Sequence, residues 1–599
     1  MDSQINIKRS MEWKEFETTF SVKLNQQQKE AVQSTKGPVL LLAVPGSGKT
    51  TVLVTRLGYM IYCRNIPPES ILTVTYTVAA TKDMSERFAV RFGEDMAKRL
   101  EFRTINGICA RIIQYYGRRI GKTPFELVKD EKTTTGMLIR ICQDHGMGYP
   151  TESDLKNVRT LITYIKNMML TEEELQKLEE ESDIRIAGIY REYCSQMRAQ
   201  NLMDYDDQML YAYKMLRMDP GLLAYFQKLY PYICVDEAQD TSKIQHAIIA
   251  LLATESGNLF MVGDEDQSIY GFRAAYPEAL LSFEKNHKGA KVLLMEENFR
   301  SNAKIVEAAD KFIQKNTLRH EKHMKPAREA GMDIREISLK SRKAEYVYLM
   351  RVAQECMTRE SSLQKNGMDA RKAETAVLYR DNECAIPLID LLERKNIPYR
   401  MRNAELSFFT HRTVLDVENI IRFAMNPKDT DRFMQIYYRL KLFFRKEDAL
   451  RYVNLSKEKD MAVLDAVLKY DNLEKYQEDN IRNLRRQMER ILKMTGDEAV
   501  DQILTYMGYQ DYLKKMGMNA NKLEIVKMIG SRVDSPEKLL ERLEELRKII
   551  REKKTESDCP FILSTMHASK GLEYDTVYLL DVMDGILPEK VLVNPRTAS

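Results

Sequence analysis

Apolar residues in this chain follow two rhythms. The first is a set of short runs, nearly continuous in apolar character, that end in polar or turn residues. One cluster of runs holds VLLLAV (39–44), ILTVTYT (71–77), YICVDE (232–237), LFMVGDEDQ (259–267) and KVLLME (291–296). A second holds TAVLYRDN (375–382), FILSTMHASKG (561–571) and TVYLLDVMD (576–584). A strand with one wet face alternates apolar and polar residues, whereas a run without alternation suits a parallel strand covered on both faces. Open parallel sheets bind ligands beyond the carboxyl ends of their strands. The polar signatures of this chain fall at those ends.

The second rhythm is helical. Residues about 105–200 and about 410–555 are highly charged, with apolar positions at helical spacing, as in TEEELQKLEEESDIRIAGIYREY. In DSPEKLLERLEELRKIIREKK, Ser535 suits an N-cap and Pro536 the first helical position, with Leu539, Leu543, Leu546 and Ile550 on one stripe. A stripe of that kind can dock a partner, but a helical subdomain packing its own core is the simpler reading. No fixed short repeat and no low-complexity tract is present. The pattern predicts an α/β protein with two parallel-sheet cores, each interrupted by a helical insertion.

Composition adds bounds to this picture. A chain of 599 residues is too long for one core and corresponds to about four folding units. Its net charge of +4 on 180 charged side chains requires any nucleic-acid surface to be a local patch. The eight cysteines include no C-x-x-C pair and several lie inside apolar runs, which points to reduced core cysteines rather than disulfides or zinc. The opening MDSQINIKRSMEWKEF has no apolar signal core, and no apolar run approaches the ~20 residues that cross a bilayer. A soluble, cytoplasmic protein with no membrane partner is expected.

Chemistry enters at the strand ends. AVPGSGKT approximates a P-loop, with Ala43 where the strict pattern has glycine. Gly46 and Gly48 let backbone N–H groups close around phosphate oxygens, Lys49 can reach the β/γ-phosphates, and Thr50 can hold Mg²⁺. CVDEAQD supplies a Walker B pair, with Asp236 for Mg²⁺ and Glu237 to take a proton from attacking water. In MVGDEDQSIYGFRAA, Gln267 can sense a γ-phosphate, while Tyr270, Phe272 and Arg273 suit base stacking with a phosphate contact; a core role for the two aromatics is the competing reading. EENFRSN places Arg300 where a guanidinium can neutralise transition-state charge.

Taken in order, these segments resemble the UvrD/Rep/PcrA-type superfamily 1 DNA helicases over about residues 20–599. The resemblance implies two RecA-like P-loop domains, each with a mainly helical insertion, and ATP held between them. The expected division is 1–104 and 201–300 for the first domain with 105–200 inserted, and 301–407 and 557–599 for the second with 408–556 inserted. LNQQQKEAV looks like the Q motif, so Gln28 is expected to read adenine, and Phe299 to stack on it. The loop residues Ala43, Pro45, Gly46, Ser47, Gly48, Lys49, Thr50 and Thr51 would complete the nucleotide site with Glu573 of STMHASKGLEYDTVYLL. The resemblance makes Glu237, Gln267 and Arg300 the catalytic group, and Thr50 and Asp236 the metal ligands. It puts Tyr76 of TVTYT, Thr104 of FRTINGICARII, Tyr270, Phe272, Arg273 and His567 on single-stranded DNA. LMDYDDQM (202–209) matches a further family segment.

The chain departs from the family pattern in places. TVAAT stands where relatives have T-N-K-A-A, Asn106 where they carry histidine, and the second insertion lacks their glycine-rich G-I-G turn. Relatives continue past motif V (here STMHASKGLEYDTVYLL) to an arginine-bearing Y-V-A-x-T-R-A segment. This sequence stops at DGILPEKVLVNPRTAS, whose Arg596 has Arg-Thr rather than Thr-Arg order and lies too close to motif V. The sequence is therefore expected to be either a fragment or a poor hydrolase. The function implied is an ATP- and Mg²⁺-dependent 3′→5′ DNA helicase or single-stranded-DNA translocase of repair or recombination, acting on single strands and single-strand/duplex junctions. Left open are an ATP-gated single-strand-binding protein and the helicase part of a larger helicase–nuclease. A P-loop kinase or transport ATPase fits the Gln267–Phe272 segment poorly.

Overall fold

The computed structural model describes residues 10–130, 132–148, 150–182, 184–365, 373–402, 406–442, 444–552 and 558–588. Arg596 lies outside them. The chain forms two compact units, one made of Met1–Pro150 with Asp154–Glu336 and the other of Thr151–Ser153 with Ile337–Ser599.

The first unit is built on a six-stranded parallel sheet. Its strands are β1 (Val39–Ala43), β2 (Ile71–Thr75), β3 (Glu101–Thr104), β4 (Tyr232–Val235), β5 (Asn258–Gly263) and β6 (Lys291–Met295), in the spatial order β3-β2-β4-β5-β1-β6. The absence of alternation has a direct cause. Leu40 and Leu42 of β1 point into one apolar cluster with Leu72, Ile233 and Met261, while Val39, Leu41 and Ala43 point into another with Ile71, Phe260 and Val262. Both faces of the central strands are thus dry. Register keeps like with like: Leu41 lies opposite Val262 on one side and Leu293 on the other.

Between β3 and β4 the chain is almost wholly helical, and part of it closes a core of its own from Leu138, Ile141, Val158, Ile162, Ile165 and Ile189. The second unit carries a four-stranded parallel sheet of β7 (Thr375–Tyr379), β8 (Arg400–Met401), β9 (Phe561–Thr565) and β10 (Thr576–Leu579), ordered β8-β9-β7-β10. Helices fill the span from Arg412 to Glu552 between β8 and β9. The last of these, Pro536–Glu552, starts where the sequence indicates, with Ser535 Oγ accepting from the Lys538 N–H at 3.3 Å. Leu539, Leu543, Leu546 and Ile550 are all buried on its inner stripe. Among the described residues, no helix is long and apolar enough to cross a membrane.

The sheet edges depart from the pattern of dry apolar runs. The run TVYLLDVMD is strand only over Thr576–Leu579, and as an edge strand it exposes Val577 and Leu579. Glu101–Thr104, which has no apolar run, is nevertheless a strand, and it too lies at an edge, that of the first sheet. An edge strand is covered on one side only, so it tolerates the charge that a central strand cannot.

Candidate nucleotide site and nucleic-acid interface

The site is assembled at the carboxyl ends of β1, β4 and β5. After β1 the chain turns through Val44–Gly48 into the helix α1 (Lys49–Tyr62). Gly46 (φ +70°) and Gly48 (φ +86°) make that turn in the left-handed region, where a side chain is costly. Space forbids one as well: a Cβ on Gly46 would lie 2.8 Å from Arg300 Cβ and 2.9 Å from Asn298 Oδ1. Asn298 Oδ1 accepts from the backbone N–H groups of Arg300 and Ser301, both at 2.9 Å, and Phe299 N–H donates to Gly46 C=O at 2.9 Å. The Phe299–Arg300 segment is thereby fastened to the loop. Gln28 is fastened to it from the other side, its Nε2 donating to Ser47 C=O at 3.0 Å while its Oε1 accepts from Asn25 N–H in a capping box. Ser47 turns inward, its hydroxyl donating to Val44 C=O at 2.7 Å.

Three strand ends converge on Lys49. Its Nζ lies 3.2 Å from Glu237 Oε2, beyond β4, and 3.4 Å from Gln267 Oε1, beyond β5. Asp236 is buried beside them, its Oδ1 accepting from Glu237 N–H at 3.0 Å. Burial, reinforced by the Glu237 charge and opposed by Lys49, pushes the Asp236 carboxyl up to about 7. That is a carboxylate short of positive charge. Glu237 itself sits in the left-handed region (φ +49°), a strained position that aims its side chain at the lysine. The arrangement can grip a polyanion at the loop while presenting a carboxylate and an amide to whatever the lysine holds.

A second group of residues forms an aromatic surface on the same unit. Tyr76, just past β2, stacks on Tyr270 with centroids 6.2 Å apart and planes at 10°. Tyr270 meets Phe272 edge-on at 6.0 Å, and the Arg273 guanidinium lies 5.4 Å and 5.5 Å from those two ring centres. Phe272 is 50% exposed and Tyr76 36%, so neither is a core residue. Thr104 is used locally: its Oγ1 accepts from Gly107 N–H at 3.1 Å and caps the helix Ile105–Ile120.

This order of loop, carboxylate pair, glutamine and aromatic cluster is matched at the level of whole domains. The UvrD/REP helicase N-terminal domain matches residues 24–288, and the UvrD-like helicase C-terminal domain matches 293–561 and 556–597. The chain belongs to the UvrD/Rep helicase family. YjcD of Bacillus subtilis (strain 168) is 31% identical over 579 residues, which is 95% of this chain and 74% of YjcD. The ATP-dependent DNA helicase PcrA of Staphylococcus epidermidis is 28% identical over 584 residues, 94% of this chain and 78% of PcrA. PcrA of Leuconostoc citreum is 27% identical over 599 residues.

The other two residues that the UvrD/Rep resemblance singles out belong to the second unit. His567 opens a short 3₁₀ turn after β9, held where Met566 N–H donates to Tyr379 C=O at 2.9 Å and Ala568 N–H to Thr565 Oγ1 at 3.1 Å. Glu573 is exposed on the loop before β10. Both therefore lie beyond the carboxyl end of β9, in a separate unit from Lys49 and Tyr76.

Several further residues support the site. Gln239 links two site loops, donating from Nε2 to Glu237 Oε2 at 2.5 Å and accepting at Oε1 from Asp264 N–H at 3.0 Å. It lies within the quoted CVDEAQD, two residues past the glutamate, so the signal was present. Asn298 lies in the quoted EENFRSN and bonds N–H groups two and three residues on, whereas Lys322 gave no signal, because its carboxylate partners are distant in sequence.

Proposed function

We propose that this chain is an ATP-dependent DNA helicase that translocates 3′→5′ along single-stranded DNA, in repair or recombination. The observation that carries the reading is the convergence of Glu237 and Gln267 on the P-loop Lys49. In this reading Lys49 and the N–H groups of the loop hold the β/γ-phosphates of ATP, Gln28 and Phe299 take the adenine, and Arg300 faces the charge that develops on the transferred phosphoryl. A phosphate competes with Glu237 for Lys49. Glu237, once released, hydrogen-bonds the attacking water and takes its proton, while Gln267 reports on the γ-phosphate. Thr50 and Asp236 are hard oxygen donors, and the shortage of positive charge at Asp236 fits a divalent cation such as Mg²⁺. Held by Thr50 and Asp236, such an ion would supply neutralisation of the charge on the transferring phosphoryl group.

DNA is assigned to Tyr76, Tyr270, Phe272 and Arg273, with Thr104 at the adjacent strand end and His567 on the second unit, and Glu573 is assigned to the nucleotide. Stacking on exposed rings is tolerant of base identity, which suits a motor that must pass any sequence. Single-strand/duplex junctions are the expected loading sites. The domain division proposed is 1–104 with 201–300, and 301–407 with 557–599, around insertions 105–200 and 408–556.

The test is ATP hydrolysis by this chain with and without single-stranded DNA. Stimulation by the strand is expected, with faster clearance of a label from the 5′ end than from the 3′ end. A rate indifferent to DNA would overturn the translocase reading and leave an ATP-gated binding protein.

A further inference from the structure

The loop after β5 carries three consecutive carboxylates, Asp264, Glu265 and Asp266, and all three are removed from water, with side chains 1%, 2% and 8% exposed. One ammonium serves them all. Lys322, itself 1% exposed, places Nζ 3.1 Å from Asp264 Oδ1, 2.6 Å from Glu265 Oε1 and 2.9 Å from Asp266 Oδ2. Arg319 forks onto Asp266 through Nε and Nη2 at 2.8–3.0 Å, and His320 N–H donates to Glu265 at 2.8 Å. Asp266 and Glu265 thus have other partners for their charge. Asp264 differs: Lys322 is its only ion-pair partner among the described residues, and it alone of the three touches a nucleotide-site side chain.

That touch has a polarity. Asp264 Oδ2 accepts from Gln267 Nε2 at 2.7 Å, and an ionised carboxylate can only accept. The amide must therefore offer Asp264 its NH₂, which leaves Oε1 directed to Lys49. A protonated Asp264 would donate instead. The amide could then turn over, setting NH₂ against the ammonium. Burial pushes the Asp264 carboxyl up, and the charge of Lys322 is the chief influence opposing it.

We propose that Lys322 is a positioning residue of the ATPase: by keeping Asp264 ionised it holds the Gln267 amide with its oxygen toward Lys49. The proposal rests on the nucleotide-site assignment above. It places a determinant of turnover on the far side of the loop from the phosphates, in the run LRHEK (318–322) that otherwise reads as a solvated charge cluster.

A double-mutant cycle on the full chain tests it, with single-stranded DNA at saturation. Gln267→Ala and Lys322→Met should each lower kcat by roughly 10–100-fold, the range for a residue that orients another. The KM for ATP and the affinity for the strand should stay within about twofold, since only an interaction made in the transition state is lost. The double variant should turn over like Gln267→Ala alone, because Lys322 acts through that side chain. Multiplying effects, or a Lys322→Met variant with wild-type kcat, would overturn the proposal. If Lys322→Met does not fold, Asp264→Asn, which keeps the shape, replaces it in the cycle; the same non-additivity is required. A wild-type chain with no ATP turnover would overturn this inference and the proposed function together, whereas additive variants of an active wild type overturn this inference alone.

Discussion

At Lys49 a single ammonium faces acceptors from two other strand ends, and each acceptor implies a separable role. Lys49→Ala removes the ammonium that faces Glu237 and would face the β/γ-phosphates, so tight ATP binding should be lost, as read by a fluorescent nucleotide titration. Glu237→Gln keeps the shape and the hydrogen bonding to Gln239 but removes the base. ATP should still bind while steady-state hydrolysis falls by roughly 10²–10⁴-fold; loss of binding with retained cleavage would place the base elsewhere. Both residues were legible in the sequence, because a lysine after P-G-S-G and an Asp-Glu pair after an apolar strand have few other uses. Lys322 was not. Its three carboxylates lie more than fifty residues away, and a lysine in a charged run gives no hint of burial until the fold brings it to 1% exposure.

Elements were legible in proportion to how dry they are. β1, β2 and β9 are buried at every position, and each is an apolar or β-branched run in the sequence, broken only by Ser564 of β9. The edge strand β3 has no such run, because Glu101 and Arg103 pair with each other on its surface, at 2.5 Å, instead of packing. The helix Pro536–Glu552 was read from its cap and its stripe, and its stripe makes a stability prediction. Leu543 is 1% exposed, so Leu543→Ala should cost about 2–5 kcal/mol in denaturant unfolding of the unit that contains it. The clamped loop makes a second one, with a definite sign. Burial alone would raise the Glu265 carboxyl, but His320 and Lys322 outweigh burial and hold it down to about 2 from an ordinary 4.5. A depressed carboxyl stabilises the folded state above its unfolded value, and that stabilisation is lost as pH falls through the folded one. Thermal midpoints of Glu265→Gln should lie below those of the wild type near pH 6, and the gap should close as pH falls from about 4.5 toward 2. A gap independent of pH would mean that the ion pair with Lys322 contributes nothing net.

For the molecule as a whole, a net charge of +4 leaves little general attraction for a polyanion, so the grip on DNA must be local and of mixed character. The aromatic surface separates the two contributions. Arg273 is the cation at the Tyr270–Phe272 pair, and a phosphate contact there releases a counterion from the strand. Phe272, half exposed, offers stacking area and no charge. The two variants should therefore differ in kind. Arg273→Ala should flatten the plot of log affinity against log salt for a single strand by about 0.7, the single-strand value for one phosphate contact. Phe272→Ala should lower affinity by roughly 1–3 kcal/mol at every salt concentration, leaving the slope unchanged. Anisotropy titrations of a labelled oligonucleotide from low to moderate salt measure both quantities. If Phe272→Ala altered the slope while Arg273→Ala did not, the ring would be acting by holding the arginine in place, and the surface would have to be reread as an electrostatic site with aromatic support. If neither variant moved the titration, the exposed rings would belong to some other contact and the strand would have to run elsewhere.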